Sequence, residues 1–171
     1  VKVYLHEANT VPGKAVEFLS RFADTVAISF DCTARYLPGV KTVKTGLPVR
    51  ATIASGKRFD FIPSNAFVVF VTGGSEGAHA VNLLLMEALS QMKRELDKRE
   101  PGGRPLYVVH QTGVKDETLV LTEYAKCSLP SRVHAFENEM ANAFASADIV
   151  VARAGASTCF ELAACGKTAL L

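Results

Sequence analysis

The sequence predicts an α/β fold built on parallel sheets, and three observations carry that prediction. Short apolar runs alternate with stretches of helical periodicity over almost the whole chain, the pattern of strands joined by crossover helices. Two of the runs, Phe67–Thr72 and Ile149–Ala152, lead through loops of Gly, Ser and Ala into helix N-termini. At 171 residues and 49% apolar composition, the chain can bury a sizeable core, as one domain or as parts of two.

Taken in order, the strand candidates are Lys2–Leu5, Val26–Phe30, Thr42–Thr45, Ala66–Thr72, Leu106–His110, Arg132–Phe136, Ile149–Ala152 and Thr168–Leu171. The clearest helix is His79 to about Lys98, where Val81, Leu84, Leu85, Ala88, Leu89, Met92 and Leu96 keep the i, i+3, i+4, i+7 spacing. Pro101-Gly102-Gly103 ends it. Further helices are expected at Asp116–Lys126, Asn138–Ser146 and Cys159–Cys165. Residues 46–65 hold Gly46-Leu47-Pro48, Ser55-Gly56-Lys57-Arg58 and Pro63-Ser64-Asn65 without sustained periodicity. They are the best linker candidate. The expected organisation is therefore 1–50 as the end of one Rossmann-like domain, 51–64 as a linker and 65–171 as the beginning of another. Two such halves would place a ligand in a cleft between them. Both ends stop inside apolar, strand-like runs, so the sequence reads as a fragment of a longer protein.

Charge and cysteine content exclude several classes. The net charge is only +2, and no Lys/Arg cluster is interleaved with aromatics, which argues against nucleic-acid binding. No run approaches the ~20 apolar residues of a membrane span. Cys32, Cys127, Cys159 and Cys165 form no CxxC pair and share no metal-ligand spacing with the histidines. They read as free thiols in a reducing compartment.

The two Gly/Ser loops carry the chemistry. Such a loop lets an anion approach the backbone, and a helix N-terminus supplies unpaired N–H groups and partial positive charge. Two of them in one sheet point to a nucleotide diphosphate. In Gly73-Gly74-Ser75-Glu76-Gly77-Ala78, Ser75 either meets a phosphate or caps the following helix. The glycine spacing is not GxGxxG, and no Walker lysine follows. Glu76 must point away from any bound anion. In Ala154-Gly155-Ala156-Ser157-Thr158, the pair Thr158 and Glu161 fits a T-x-x-E capping box. Alternatively, Ser157 and Thr158 face a phosphate while Glu161 accepts from a ribose diol. His6, Glu7 and Asn9 follow the first strand, either binding a sugar or moving a proton, or holding a loop. Arg50 either reaches a diphosphate or is a surface charge. His79, His110 and His134 are assigned structural roles.

In this order, His6-Glu7-Ala8-Asn9, Pro12-Gly13, Gly46-Leu47-Pro48-Val49-Arg50, Gly73-Gly74-Ser75-Glu76-Gly77-Ala78 with Asn82, His110-Gln111-Thr112-Gly113, Ala147-Asp148 and Arg153-Ala154-Gly155-Ala156-Ser157-Thr158 with Glu161 resemble one family closely. It is the MurG family of UDP-N-acetylglucosamine–undecaprenyl-pyrophosphoryl-muramyl-pentapeptide N-acetylglucosaminyltransferases. The resemblance implies a GT-B fold of two Rossmann-like domains, only partly covered by this chain. It implies transfer of GlcNAc, with inversion, from UDP-GlcNAc to the C4 hydroxyl of the MurNAc of undecaprenyl-linked lipid I. The product would be lipid II, made by a peripheral enzyme on the cytoplasmic face of the cell membrane.

By the same resemblance, Asn9 touches GlcNAc, and Arg50 and Ser75 lie at the sugar-diphosphate end. Ala156, Ser157, Thr158, Cys159, Phe160 and Glu161 line the nucleotide, with Glu161 on the ribose. Glu137, just after Phe136, stands where the family contacts uracil through its backbone. No cofactor or metal is implied, and the catalytic base is expected outside this chain. The chain departs from the family at Ala8, Leu47, Glu76 and Glu137, the first three in place of amides worth ~0.5–1.5 kcal/mol per lost hydrogen bond. A fragment without the acceptor-binding loop is expected to be inactive alone. Two rival readings are a GT-B transferase with another lipid acceptor and a non-catalytic nucleotide-sugar-binding module.

Overall fold

A computed structural model describes residues 1–74, 77–98 and 102–171. The chain forms two compact units, Val1–Val49 and Arg50–Leu171.

The first unit is a three-stranded parallel sheet of β1 (Tyr4–Glu7), β2 (Thr25–Ile28) and β3 (Thr42–Lys44), in that order, with α1 (Lys14–Leu19) between β1 and β2. Val26, Ile28 and Leu37 form its buried core, with Leu5, Val16 and Ala34 packed against them. Helix α1 has only six residues and buries none, too short to leave an apolar stripe in the sequence. Glu7 is buried at the end of β1. Its carboxylate accepts the N–H groups of Asn9 (2.8 Å) and Gly13 (3.0 Å) and the Asn9 Nδ2 (3.1 Å). It therefore holds the loop, the plainer of its two expected roles.

The second unit contains β4 (Phe67–Thr72), α2 (His79–Asp97), β5 (Leu106–Gln111), α3 (Glu117–Lys126), β6 (Ser131–His134), α4 (Met140–Ser146), β7 (Ile149–Ala152), α5 (Ala156–Ala164) and β8 (Ala169–Leu170). Its five strands are parallel, in the order β6-β5-β4-β7-β8. Alternation along β4 divides the core. Val69 and Val71 face a layer with Leu89, Val120 and Tyr124 of α2 and α3. Val68 and Phe70 face Phe144 of α4 and Leu162 of α5. Each such fully buried side chain contributes ~1.5–3 kcal/mol relative to exposure. The chain runs outward from β4 to β6, then returns to the other side of β4 as β7. Strand order thus reverses between β4 and β7, and ligands of open α/β sheets bind at the carboxyl ends of such strands.

Two differences from the sequence reading have clear causes. Along α2, Leu84 and Met92 are exposed, whereas Asn82 is fully buried beside Leu89. The apolar spacing predicts Leu84 and Met92 inside; the inward hydrogen bonds of Asn82 turn the helix instead. Residues 51–64, expected as a linker, are built into the second unit. Ile53, Phe59 and Ile62 lie in its core. Gly56 crosses α4 so closely that a Cβ would sit 1.9 Å from the Ala141 carbonyl oxygen. The N–H groups of Lys57 and Phe59 donate to Asn142 Oδ1 and Ser146 Oγ, both at 2.9 Å. Arg58 donates to the Ser146 and Pro63 carbonyls, each at 3.0 Å. A coil lying across a helix leaves no periodicity to read.

Asp148 fastens the start of β7 to the start of β4. Its carboxylate accepts the Val68 N–H (2.8 Å) and the Arg104 guanidinium (2.9 Å). Burial works to raise its pKa, but these two bonds outweigh it and hold the group below the usual carboxylate range.

Candidate functional site

The loop after β4 begins with Gly73 and Gly74. Ser75 and Glu76 lie outside the described residues, so the Ser75 assignment rests on sequence alone. Gly77 has φ +77°, and a Cβ there would meet the Thr112 carbonyl oxygen at 2.2 Å, so only glycine fits. The N-cap of α2 is Ala78, which has no capping side chain. The described N–H groups of this loop are partly used internally. Gly74 donates to Thr72 Oγ1 (3.2 Å) and Gly77 to the Gly74 carbonyl (3.1 Å).

The loop after β7 offers more to an anion. Helix α5 starts at Ala156, three residues earlier than expected, and its N-cap is Gly155, without a side-chain cap bond. This overturns the capping box, because Thr158 sits inside the first turn instead of ahead of it. Cys159 N–H bonds to the Gly155 carbonyl at 3.0 Å. The N–H groups of Ala156, Ser157 and Thr158 precede that bond and have no partner within the helix. They point, with the positive end of the helix dipole, toward a cavity of about 510 Å³ lined by Gly73, Gly74 and residues 153–158. Arg153 adds a full positive charge there. Its signal in the sequence is a cation directly between a strand and a Gly/Ser loop.

A second cavity of about 240 Å³ shares Gly74, Ser157 and Thr158 with the first. Phe136, Met140 and Phe144 give it apolar walls, and Thr72, Gln111, Arg50 and Glu161 bring polar groups to it. Arg50 Nη2 donates to Glu161 Oε1 at 3.4 Å, with the Glu161 side chain only 18% exposed. The two residues expected at opposite ends of a nucleotide thus touch each other.

Glu137 lines neither cavity, and its side chain is engaged elsewhere. Its carboxylate is 2% exposed and pairs with Arg132 Nε (2.8 Å) and Nη2 (3.1 Å), also accepting the Glu139 N–H (2.9 Å). That pairing raises the Arg132 pKa further. Arg132 lies over the Phe59 ring, 4.7 Å from its centroid. The Glu137 N–H donates to Gln111 Oε1 at 3.2 Å. Of the expected nucleotide residues, Arg50, Ser157, Thr158 and Glu161 line the smaller cavity and Ala156, Ser157 and Thr158 the larger. Cys159 and Phe160 line neither. Asn9 belongs to the first unit, where Glu7 holds it.

Behind the first loop lies a buried polar network. Asn82 Nδ2 donates to the Thr112 carbonyl and to Asp116 Oδ2, both at 2.7 Å. Its Oδ1 must therefore accept from His110 Nε2 (3.1 Å), which leaves His110 Nδ1 to accept from Tyr124 OH (2.9 Å). Burial pushes the His110 pKa down to about 4, so the ring is neutral. The Asn82 hydrogen bond, helped by His79 at 2.8 Å, holds the Asp116 carboxyl below its ordinary range. These groups brace the turn that Gly77 approaches, a structural role for His79 and His110.

Among the described residues, no three His, Cys, Asp or Glu side chains gather as a metal site, and no helix is long and apolar enough to cross a membrane. The profile of the glycosyltransferase family 28 C-terminal domain matches residues 68–171. A UDP-N-acetylglucosamine–N-acetylmuramyl-(pentapeptide) pyrophosphoryl-undecaprenol N-acetylglucosamine transferase of Geobacter sulfurreducens is 39% identical, over 96% of this chain and 44% of that protein. The enzyme of the same name from Microcystis aeruginosa is 39% identical over 95% of this chain and 42% of its own length. The crystal structure of Acinetobacter baumannii MurG superposes with a TM-score of 0.68 at 31% identity, covering 99% of this chain and 45% of that one. The chain thus spans about half the length of the relatives it matches.

Proposed function

Because the chain belongs to glycosyltransferase family 28, we propose that its second unit binds UDP-N-acetylglucosamine for transfer of GlcNAc to a lipid-linked acceptor. The acceptor is proposed to be lipid I and the product lipid II, formed by the full-length protein at the cytoplasmic membrane face. The observation that supports this most directly is the pair of adjoining cavities at the β4/β7 switch point, one cationic and N–H-lined, the other apolar with a carboxylate.

In this reading the diphosphate lies against the N–H groups of Ala156, Ser157 and Thr158, with Arg153 beside it; the family resemblance assigns Ser75 to the same sugar-diphosphate end. Uracil packs on Phe136, and Glu161 accepts from the ribose hydroxyls. Arg50 moves its guanidinium toward the diphosphate as the ribose takes its place on Glu161. The Glu137 N–H is engaged by Gln111, so the backbone contact to uracil is assigned to its carbonyl, which suits the N3–H of the base. Asn9, oriented by Glu7, is proposed to contact GlcNAc.

Transfer with inversion is a direct displacement. The acceptor C4 oxygen bonds to the anomeric carbon, the bond from that carbon to the UDP oxygen breaks, and a base outside these residues takes the hydroxyl proton. The chain's part is to hold the donor and to neutralise the charge that develops on UDP.

Calorimetry with UDP tests the donor site. Glu161→Ala should weaken binding about tenfold, as expected for a lost hydrogen bond to a charged group. The loss should vanish with 2′,3′-dideoxy-UDP; equal losses for both ligands would remove Glu161 from the ribose. Absence of UDP release when full-length protein meets UDP-GlcNAc and lipid I would refute the transferase reading.

A further inference from the structure

We infer that Gln111 is a positioning residue that sets the spacing between the diphosphate and base subsites of the donor pocket. The inference rests on the donor reading above and deepens it. Strand β5 lies between β4 and β6, so its last residue can reach the loop that leaves each neighbour. Gln111 is that residue, is 3% exposed and lines the smaller cavity. Its Nε2 donates to the Gly74 carbonyl at 2.8 Å, and its Oε1 accepts the Glu137 N–H at 3.2 Å. Reversing the amide would set donor against donor and acceptor against acceptor, so its orientation is settled by its partners.

Gly74 lines both cavities, so one amide ties a wall of the proposed diphosphate cavity to the backbone of Glu137, next to the Phe136 assigned to the base. A side chain needs both a donor and an acceptor at this reach to do that. Asparagine is one methylene too short, glutamate lacks the donor, and methionine has neither. With Gly74 and Glu137 tied, the wall of the diphosphate cavity and the base contact keep a fixed separation before a nucleotide arrives, which reduces the ordering that binding must otherwise impose.

The test uses full-length protein, with calorimetric titration of UDP and of uridine. Gln111→Met releases both loops and should weaken UDP about tenfold and uridine less. Gln111→Glu at about pH 8.5 keeps an acceptor for Glu137 N–H but sets a carboxylate against Gly74 O. It should lower UDP affinity at least about fivefold more than uridine affinity. At about pH 6 a buried carboxyl takes up a proton and regains an O–H donor. Relative to wild type, the UDP affinity of that variant should then recover. If Gln111→Glu weakens both ligands equally and shows no recovery, Gln111 is merely structural and the inference fails. Unchanged UDP affinity in both variants overturns it too. Wild-type protein that binds no UDP refutes the donor reading, and this inference with it. Should Gln111→Met not fold, the pH response of Gln111→Glu decides alone.

Discussion

Glu137→Leu is the substitution that most directly tests how the loop after β6 is held. The Glu137 carboxylate is 2% exposed and receives two guanidinium bonds, at 2.8 and 3.1 Å, plus the Glu139 N–H at 2.9 Å. Hydrogen bonds to charged groups are each worth about 1.5–3 kcal/mol, and removing one partner of a buried pair costs about 3–5 kcal/mol. Arg132 is not left wholly alone. It is 23% exposed, keeps Glu139 at 3.2 Å and still covers the Phe59 ring. The loss should therefore sit at the low end, about 3 kcal/mol, or roughly 6–12 °C in melting temperature. Adding Arg132→Met should recover about 2 kcal/mol, because an apolar pair of similar volume carries no desolvation penalty. Urea unfolding of the wild type, both single variants and the double variant gives the coupling directly. A loss below about 1 kcal/mol, or a coupling below about 0.5 kcal/mol, would refute the view that this ion pair pins the loop.

Gly56→Ala places a methyl group 1.9 Å from the Ala141 carbonyl oxygen and should destabilise the second unit by about 2 kcal/mol or more; a flexible linker there would show no change in urea midpoint. Thr158→Ala should leave stability within about 0.5 kcal/mol, whereas a true N-cap would lose about 1 kcal/mol in the same measurement. His110 has a folded-state pKa of about 4 against an ordinary 6.5, so as pH falls the unfolded chain takes up the proton first. Its contribution is complete above about pH 6.5 and is lost between 6.5 and 4, about 3 kcal/mol in total. Unfolding midpoints measured across that range should fall for the wild type and flatten for His110→Gln.

The strands were legible because a parallel strand buried on both faces reads as an unbroken apolar run, as in Phe67–Val71 and Ile149–Val151. The start of α5 was not. Spacing alone favoured Thr158 as a cap, while the backbone turns into the helix at Gly155, where no side chain marks the event. Residues 51–64 misled for a related reason: Ile53, Phe59 and Ile62 reach the core from coil. Arg50 and Glu161 each stand out in the sequence as candidates for a nucleotide, yet only three dimensions bring them to 3.4 Å. Gln111 sat in plain view within His110-Gln111-Thr112-Gly113, but its two partners, Gly74 and Glu137, lie 37 residues before it and 26 after it.

The placement of β4 at the centre of its sheet has a consequence for the nascent chain. Val68 meets Asp148 across 80 residues of sequence, and β7 covers the second edge of β4 only when that part has been made. At about 5–20 residues per second, the ribosome needs roughly 4–16 s to deliver it. Throughout that interval β4 is an apolar strand with an open edge, and Val68 and Phe70 lack Phe144 over them and Val150 beside them. The same reversal of strand order that places the candidate site thus leaves an apolar strand edge waiting for its partner during synthesis.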